Sequence, residues 1–352
     1  MSRYLVERLL ALIPTLLGVS VVVFLVIHLI PGDVINAQIG TQFQLTEEQA
    51  AALRRYFGVD KPLYQQYFIW LTSILRGDFG YSVRSGQPVL KEILTRFPLT
   101  LQLTLMAGFF ALLVGVPVGI LSATRPDSAV DLGGRTFALV GLAMPNFWVA
   151  TLVILVLSLG FGWLPNSGAY VDIWVNPIEN LKQLIFPALV LGLAMAASVM
   201  RTTRSSMLEV LGQDYIRTAR GKGMRERSVI NGHGLKNALI PVITIVGVQL
   251  GYLLGGAFIV EEVFALPGIG RLVLTGIANR DYAVVQGAIL FIAVNFVLIN
   301  LAADLLYRRA DPRIRYQCPP PTRPSPPPAP ACRRQWPRPS IRYLNNPPSG
   351  VV

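Results

Sequence analysis

Long apolar runs alternate with shorter polar segments along most of this sequence. The runs lie at about residues 9–30, 100–123, 136–160, 184–203, 239–261 and 284–307. Each run is long enough to cross roughly 30 Å of hydrocarbon as an α-helix. The pattern therefore predicts an all-α polytopic membrane protein with six transmembrane helices, and Pro145 is expected to kink the third.

The first run is interpreted as a retained transmembrane helix and not as a cleaved secretory signal. It is longer than the roughly 7–15 apolar residues of a signal peptide. Pro31, Gly32 and Asp33 end it, and no small-residue cleavage site follows.

The more polar stretch 31–98 predicts a helical extracytoplasmic region. A capping box at Thr46 and Gln49 begins one helix, and Gly58 stops it. Asp60, with Pro62 just inside the next helix, begins a second helix over about 63–75. The aromatic residues of this second helix are Tyr64, Tyr67, Phe68 and Trp70. Packing against the membrane domain or the interface is favoured for them over direct contact with a solute.

Composition and charge agree with a membrane protein. Charged residues make up 14% of the chain, against roughly 25% in soluble domains. A net charge of +12 would raise nucleic-acid binding in a soluble protein, but here the basic residues lie beside the apolar runs. They occur at Arg3, Arg8, Arg125 and Arg135 and across 201–236. This positive-inside pattern predicts that both termini are cytoplasmic and that nucleic acid is not a partner.

The chain divides into four parts by composition. Residues 1–30 hold the N-terminal segment and first helix, 31–98 the extracytoplasmic region, and 99–316 the transmembrane domain with a cytoplasmic loop at 201–240. Residues 317–352 form a proline-rich tail that is predicted to be disordered.

Residues that would hold a metal or a nucleotide are scarce. Cys318 and Cys332 lie in the tail, and His28 and His233 are far apart, so no metal site or other cofactor is expected in this chain. No segment matches the phosphate-binding pattern G-x-x-x-x-G-K-[S/T]. If ATP drives this system, another polypeptide must bind it.

Uncharged polar residues inside the runs are candidates for lining a polar path. We select Asn146, Gln249, Gln286 and Asn295, with Gln102 and Asn300 of the same kind. Hydrogen bonds between helices are the alternative for each. Ionisable residues are almost absent from the centres of the runs, which argues against a proton relay. Gly247, Gly251 and Gly255 share one helix face, as do Gly115 and Gly119, and predict close helix packing.

The segment 201–241 is too polar to cross a membrane and too patterned for an irregular loop. Asp214 is predicted to cap a short helix, and Gly221 and Gly223 a tight turn after it. A second basic helical stretch follows, and Pro241 is expected at the start of the fifth span. The small residues Ala219 and Gly223 would let a partner protein approach closely. Attraction of a basic helix to anionic lipid is the alternative.

Motifs in this segment resemble the EAA loop of ABC importer permeases. The residues Arg217-Thr218-Ala219, followed after three positions by Gly223, match the spacing of its core. Arg217-Thr218 in place of Glu-Ala, and the late Pro241, are similar to the peptide-permease branch. The other matching motifs, in order, are IPGD (30–33), GVDKPLYQQY (58–67), GDFGYS (77–82), GWLPNSG (162–168), EEVFALPGIGRL (261–272), RDYAVVQ (280–286) and DPRIRY (311–316).

The resemblance, to the first permease of dipeptide, oligopeptide and glutathione importers, implies a type I ABC importer permease fold and a non-catalytic role. It implies a second homologous permease, two ATPase subunits that bind ATP and Mg, and an extracytoplasmic solute-binding protein in a bacterial or archaeal plasma membrane. It also implies that 214–223, which we call the coupling segment, contacts an ATPase. The contacting residues would be Asp214, Tyr215, Ile216, Arg217, Thr218, Ala219, Arg220, Lys222 and Gly223. A secondary, ion-coupled peptide carrier is the alternative.

Overall fold

The helices of this chain follow its apolar runs but extend beyond most of them. The computed structural model describes residues 2–29, 61–165 and 168–310. In chain order the helices are α1 (Ser2–Leu29), α2 (Leu63–Leu75), α3 (Val89–Thr124), α4 (Ala129–Ala143), α5 (Asn146–Phe161), α6 (Pro177–Leu211), α7 (Asp214–Gly221), α8 (Glu226–Ser228), a π-helix (Val229–Gly234), α9 (Leu235–Gly256), α10 (Phe258–Val263), α11 (Ile269–Ala278) and α12 (Tyr282–Ala310).

Several of these helices are suited to a membrane. Within the described ranges, four are long and apolar enough to cross one: α3, α6, the stretch Glu226–Gly255 that contains α9, and α12. The bent pair α4 and α5 supplies a fifth crossing if the two count together. The apolar part of α1, Leu10–Val26, is shorter. The structure therefore supports an all-helical protein with four to five apolar spans.

The core lies along the contact between α3 and α6. Leu103 and Ala107 of α3 and Leu191 of α6 are among its buried side chains. A Cβ atom placed on Gly115 would lie 2.7 Å from the Ala196 carbonyl oxygen, so only glycine permits this approach. The close packing predicted from the Gly115 and Gly119 pair is confirmed.

The glycine face of the fifth span packs against α12, as its spacing predicted. A Cβ atom on Gly247 would lie 2.2 Å from Cβ of Ala303, and one on Gly251 would lie 3.0 Å from the ring of Phe296. A larger residue at Gly247 would require α9 and α12 to move apart, and one at Gly251 would require the Phe296 ring to shift.

The third run is two helices and not one continuous span. α4 ends at Ala143, and α5 begins at Asn146 after a bend of 101°. Pro145 precedes α5 as its N-cap residue, because its ring cannot continue the helix of the preceding residues. The predicted bend at Pro145 is thus confirmed, while the prediction of a single kinked helix over 136–160 is wrong, since the chain forms two separate helices.

The fifth run also has different limits from those predicted. α9 begins at Leu235 and ends at Gly256, and the following residues form the separate helix α10. Pro241 lies inside α9 and does not begin it. Polar Lys236 and Asn237 are exposed at the first turn, so a helix can start there before the apolar run begins. Hydropathy alone therefore placed the start too late.

The aromatic helix α2 packs against α1, as expected. The Phe24 ring lies 5.5 Å from that of Tyr67 and 5.7 Å from that of Trp70, measured between centroids. Ser20 Oγ and the Tyr67 hydroxyl are 2.8 Å apart. Pro62 is the N-cap residue of α2 and not its first helical residue. The predicted features at Thr46, Gln49, Gly58 and Asp60 lie outside the described residues.

Candidate functional site

The short helix α7 forms within the polar segment between α6 and α9, as predicted. Its N-cap residue is Gln213, whose side chain makes no capping hydrogen bond. The predicted cap at Asp214 is wrong, because Asp214 is the first residue of the helix. Its carboxylate, in the first turn, still interacts favourably with the positive end of the helix dipole.

One face of α7 is buried against its own chain. Ile216 is fully buried and Ala219 is 8% exposed. Both pack with Val229 of the π-helix and with Leu211 at the end of α6. The small side chain of Ala219 therefore allows α7 to lie close to the π-helix. The close approach of a partner at Ala219 and Gly223 stays a prediction.

The opposite face of α7 is exposed and charged. Asp214, Tyr215, Arg217, Thr218 and Lys222 are exposed. The Arg217 and Asp214 side chains are 3.5 Å apart and 73% and 97% exposed, respectively. A pair this open to solvent contributes little to stability. These side chains are therefore available to another molecule.

Two polar contacts fix the orientation of α7. Arg220 donates to Glu226 from Nε at 3.2 Å and from Nη2 at 2.7 Å. This hydrogen bonding raises the pKa of the Arg220 guanidinium. Asn237 Nδ2 of α9 donates to the Tyr215 hydroxyl at 2.8 Å. α7 is thus hydrogen-bonded to the first residue of α8 and to the first turn of α9.

Gly223 forms the turn that ends α7, as predicted. Its φ is +75°, a conformation that side chains disfavour. The Gly223 N–H donates to the Arg220 carbonyl at 2.9 Å, and the Met224 N–H to the Ala219 carbonyl at 3.4 Å. This pattern closes a helix C-terminus around a left-handed glycine. Gly221 is the last residue of α7 and does not share that conformation.

The four candidate path residues are not brought together by hydrogen bonds. Asn146 begins α5 at the bend, Gln249 lies on α9, and Gln286 and Asn295 lie on α12, each half-buried. Asn295 Nδ2 donates to the carbonyl of Phe291 in its own helix at 2.8 Å. In the described ranges, no hydrogen bond joins any two of these four side chains.

Gln102, another polar residue of the runs, bonds between helices. Its Nε2 atom donates to Asn180 Oδ1 at 2.5 Å and joins α3 to α6. Asn180 is fully buried and donates in turn to the Tyr170 hydroxyl at 3.0 Å. Gln102 therefore makes a hydrogen bond between helices, which was the alternative to lining a path.

A buried carboxylate beside α11 is a feature that the sequence motifs contained but did not explain. Glu261 is fully buried. Its carboxylate accepts from Thr100 Oγ1 at 2.7 Å and from the Arg271 N–H at 3.0 Å, at the N-terminus of α11. A Cβ atom on Gly268 would lie 2.2 Å from Cδ of Glu261. The motif EEVFALPGIGRL thus describes a carboxylate that caps a helix and the glycines that make room for it.

Two other motifs meet at a buried hydrogen bond. Ser82 Oγ, from GDFGYS, donates to Asp281 Oδ2, from RDYAVVQ, at 2.6 Å. Asp281 Oδ1 also accepts from the Val284 N–H at 3.3 Å near the start of α12. Gly77 and Gly80 have φ of +84° and +78° and shape the loop that brings Ser82 there. These motifs hold the loop before α3 against the start of α12.

An apolar cavity of about 670 Å³ lies among α3, α4, α5 and α6. Its lining residues include Phe110, Phe137, Val153 and Phe186. Hydrocarbon walls offer no partner for the charged or amide groups of a polar solute. The cavity therefore suits apolar groups, such as side chains of a neighbouring helix or lipid tails.

Comparisons with known proteins assign most of the sequence. The family model described as "Binding-protein-dependent transport system inner membrane component" matches residues 115–316. A second model, for the N-terminal region of the same kind of membrane component, matches residues 1–104.

Curated relatives align over nearly the whole chain. Glutathione transport system permease protein GsiC of Escherichia coli (strain K12) is 43% identical over 90% of this chain and 100% of the relative. Its counterpart in Salmonella typhi is 44% identical over the same shares. Oligopeptide transport system permease protein AppB of Bacillus subtilis (strain 168) is 42% identical, again over 90% and 100%. A solved chain of the MetNI methionine ABC transporter aligns over 62% of this chain and 96% of its own, with 19% identity and a TM-score of 0.49.

Proposed function

The chain belongs to the family of binding-protein-dependent transport system inner membrane components, and we propose that it translocates peptides or glutathione-like solutes into the cell. The family assignment makes it a non-catalytic permease subunit of an ABC transporter, with ATP hydrolysis in a separate partner. The solute class is supported by relatives that are named for glutathione and for oligopeptides.

The observation that carries the mechanism is the two-sided character of α7. Ile216 and Ala219 hold the helix to its own chain, while Tyr215, Arg217 and Lys222 are left exposed. A cationic, partly aromatic face on a rigidly held helix suits a cleft on a partner protein. We therefore assign 214–223 to docking on an ATPase subunit, with Ile216 and Ala219 as its internal support and Gly223 as its turn.

Six crossings with both termini in the cytoplasm are the proposed topology. Counting α1 and the bent pair α4–α5 as one crossing each, beside the four long spans, gives six. The basic residues around α7 support placing that segment on the cytoplasmic side. The region 31–98 keeps the extracytoplasmic assignment made from the sequence, and the proline-rich tail 317–352 lies outside the described residues.

The proposed assembly is a pair of homologous permeases, two ATPases that bind Mg and ATP, and a solute-binding protein outside the membrane. Leu159 and Phe161 on α5 are 79% and 76% exposed. This apolar surface is consistent with contact between α5 and the second permease. Asn146, Gln249, Gln286 and Asn295 remain proposed contributors to the solute path, supported by their partial exposure inside spans.

Co-purification tests the proposal. The chain is expressed with its neighbouring genes, solubilised in mild detergent, and its bound proteins are identified by mass spectrometry. We expect a second permease and Walker-type ATPases. Arg217→Glu should reduce ATPase recovery at least tenfold, because it reverses an exposed charge on α7. Lys182→Glu, the same reversal on the exposed start of α6, should leave recovery unchanged.

The assembled complex then identifies the solute. In liposomes with the binding protein and ATP, labelled dipeptides, longer peptides and glutathione are offered in turn. Uptake that needs ATP supports the importer. Recovery of the chain alone, with uptake that follows an ion gradient and ignores ATP, would replace the proposal with the secondary carrier.

A further inference from the structure

A fully buried carboxylate joins three helices near the proposed coupling segment. Asp131, in the first turn of α4, has no exposed surface. Its partners come from the end of α3 (Ser122), from α4 itself (Arg135) and from α6 (Arg204).

The carboxylate of Asp131 is almost completely surrounded by donors. Arg204 donates from Nε to Oδ1 at 2.6 Å and from Nη2 to Oδ2 at 2.8 Å. Arg135 Nε donates to Oδ2 at 3.0 Å, and so does the Asp127 N–H. Ser122 Oγ donates to Oδ1. The two-bond contact of Arg204 fixes both the distance and the angle between α4 and α6.

The position of Arg204 connects this cluster to α7. Arg204 lies about two helical turns before Leu211, the last residue of α6. Leu211 packs directly on the buried face of α7. A displacement of α7 therefore acts on the end of α6, and through Arg204 on Asp131.

The position of Asp131 connects the cluster to the bend in the third span. Asp131 lies in the first turn of α4, and α4 ends at Ala143 and meets α5 at 101°. Small residues keep the rest of α4 close to α6: a Cβ atom on Gly141 would lie 2.9 Å from Cβ of Ala197. α4 can thus follow α6 as a unit, and the break beside Pro145 is where the motion would change direction.

We propose that Asp131 and Arg204 are positioning residues that transmit movement of α7 into the bent pair α4–α5. The inference deepens the proposed function and rests on it, since it takes α7 as the ATPase contact. Stability alone does not explain the cluster, because well-packed apolar residues of similar volume often stabilise a buried site as well as charged residues do. What the ion cluster adds is a defined direction between three helices.

The test measures transport against ATP hydrolysis in the whole complex. Wild type, Arg204→Gln, Arg204→Lys and Asp131→Asn are co-expressed with the neighbouring genes and placed in liposomes with the binding protein. Solute accumulated per ATP hydrolysed is measured per assembled complex with a labelled peptide taken up by the wild type. Glu179→Gln is the matched control, because it removes an exposed ion pair of α6 in which Glu179 Oε2 and Lys182 Nζ are 3.3 Å apart.

We expect Arg204→Gln and Asp131→Asn to hydrolyse ATP within about twofold of wild type and to transport at least tenfold less solute per ATP. Arg204→Lys should fall between, because lysine keeps the charge but not the two-bond fork. If the complex with Arg204→Gln does not assemble, the solute transported per ATP by the Arg204→Lys complex tests the inference instead.

Two results would overturn the inference in distinguishable ways. An unchanged ratio in every variant that assembles, with only the yield reduced, would make the cluster a structural support while α7 remains the ATPase contact. A wild-type chain that recruits no ATPase would remove the proposed function, and the transmission route with it.

Discussion

Two motif-rich regions of this chain use their residues in opposite ways. In the coupling segment 214–223, most of the polar side chains face outward, and the Arg217–Asp214 pair is largely exposed. In the region 257–287, two carboxylates of the motifs face inward: Glu261 and Asp281 are buried and hydrogen-bonded. The fold therefore explains only the buried residues and the turn of the first motif, whereas it gives internal partners to the buried carboxylates of the second.

The difference shows what each kind of motif records. The buried motifs are needed for the chain to reach its own structure, because an unpaired buried carboxylate would be costly. The exposed motif contributes little to that structure. Its side chains are therefore explained by contact with something outside the chain. Mutations should separate the two regions by their effects on stability.

The largest effect on stability is expected at Gly268. In Gly268→Val, a Cβ atom 2.2 Å from Cδ of Glu261 must push the carboxylate off the start of α11. We expect a loss of about 3 kcal/mol, or roughly 6–12 °C in the melting temperature of the detergent-solubilised protein. Gly221→Ala is the control, because a Cβ atom there meets nothing within 4 Å. Equal melting temperatures for the two variants would contradict the internal role of the motif.

A smaller, pH-dependent effect is expected at Glu261, which lies outside the candidate spans. Burial raises the pKa of its carboxyl above the ordinary value of 4.5, although hydrogen bonds from Thr100 and from the backbone oppose the shift. A raised pKa in the folded state means that this group stabilises the fold fully below its unfolded pKa. That contribution is lost as the pH rises through the folded pKa.

The corresponding measurement compares Glu261→Gln with the wild type. Glutamine does not titrate, so the melting temperature of the variant should gain on that of the wild type as the pH is raised from about 4.5. Glu262→Gln, which removes a half-exposed carboxyl of the same helix, controls for charge. Melting curves that stay parallel over the whole pH range would exclude a buried, titrating Glu261.

The smallest effect on global stability is expected in the coupling segment. Ala219→Asp would place a charge against Ile216 and Val229, and should release α7 locally while the membrane helices stay folded. We expect new protease cleavage near 214–234, a melting temperature within about 2 °C of wild type, and loss of uptake. Thr218→Asp, on the exposed face, should create no new cleavage. A large drop in melting temperature for Ala219→Asp would mean that the segment is part of the core.

Local signals in the sequence predicted several features correctly. The glycine faces, the bend at Pro145 and the turn at Gly223 depend on backbone sterics within a few residues, and all three are confirmed. The cap at Asp214 was wrong by one residue because Gln213, a weak capping residue, occupies the position before the helix. The packing of Ala219 against Val229 was not predicted, because a single small residue does not reveal which face of a short helix is buried.

The sequence by itself determined the class of the protein, since apolar length and the order of motifs fix a helical permease of this family. Only the tertiary structure decided which motif residues meet: Ser82 with Asp281, Thr100 with Glu261, and Asp131 with Arg204. The physical reason is distance along the chain. Hydropathy and turn chemistry act between near neighbours, whereas these pairs form only after helices from separate parts of the chain have packed.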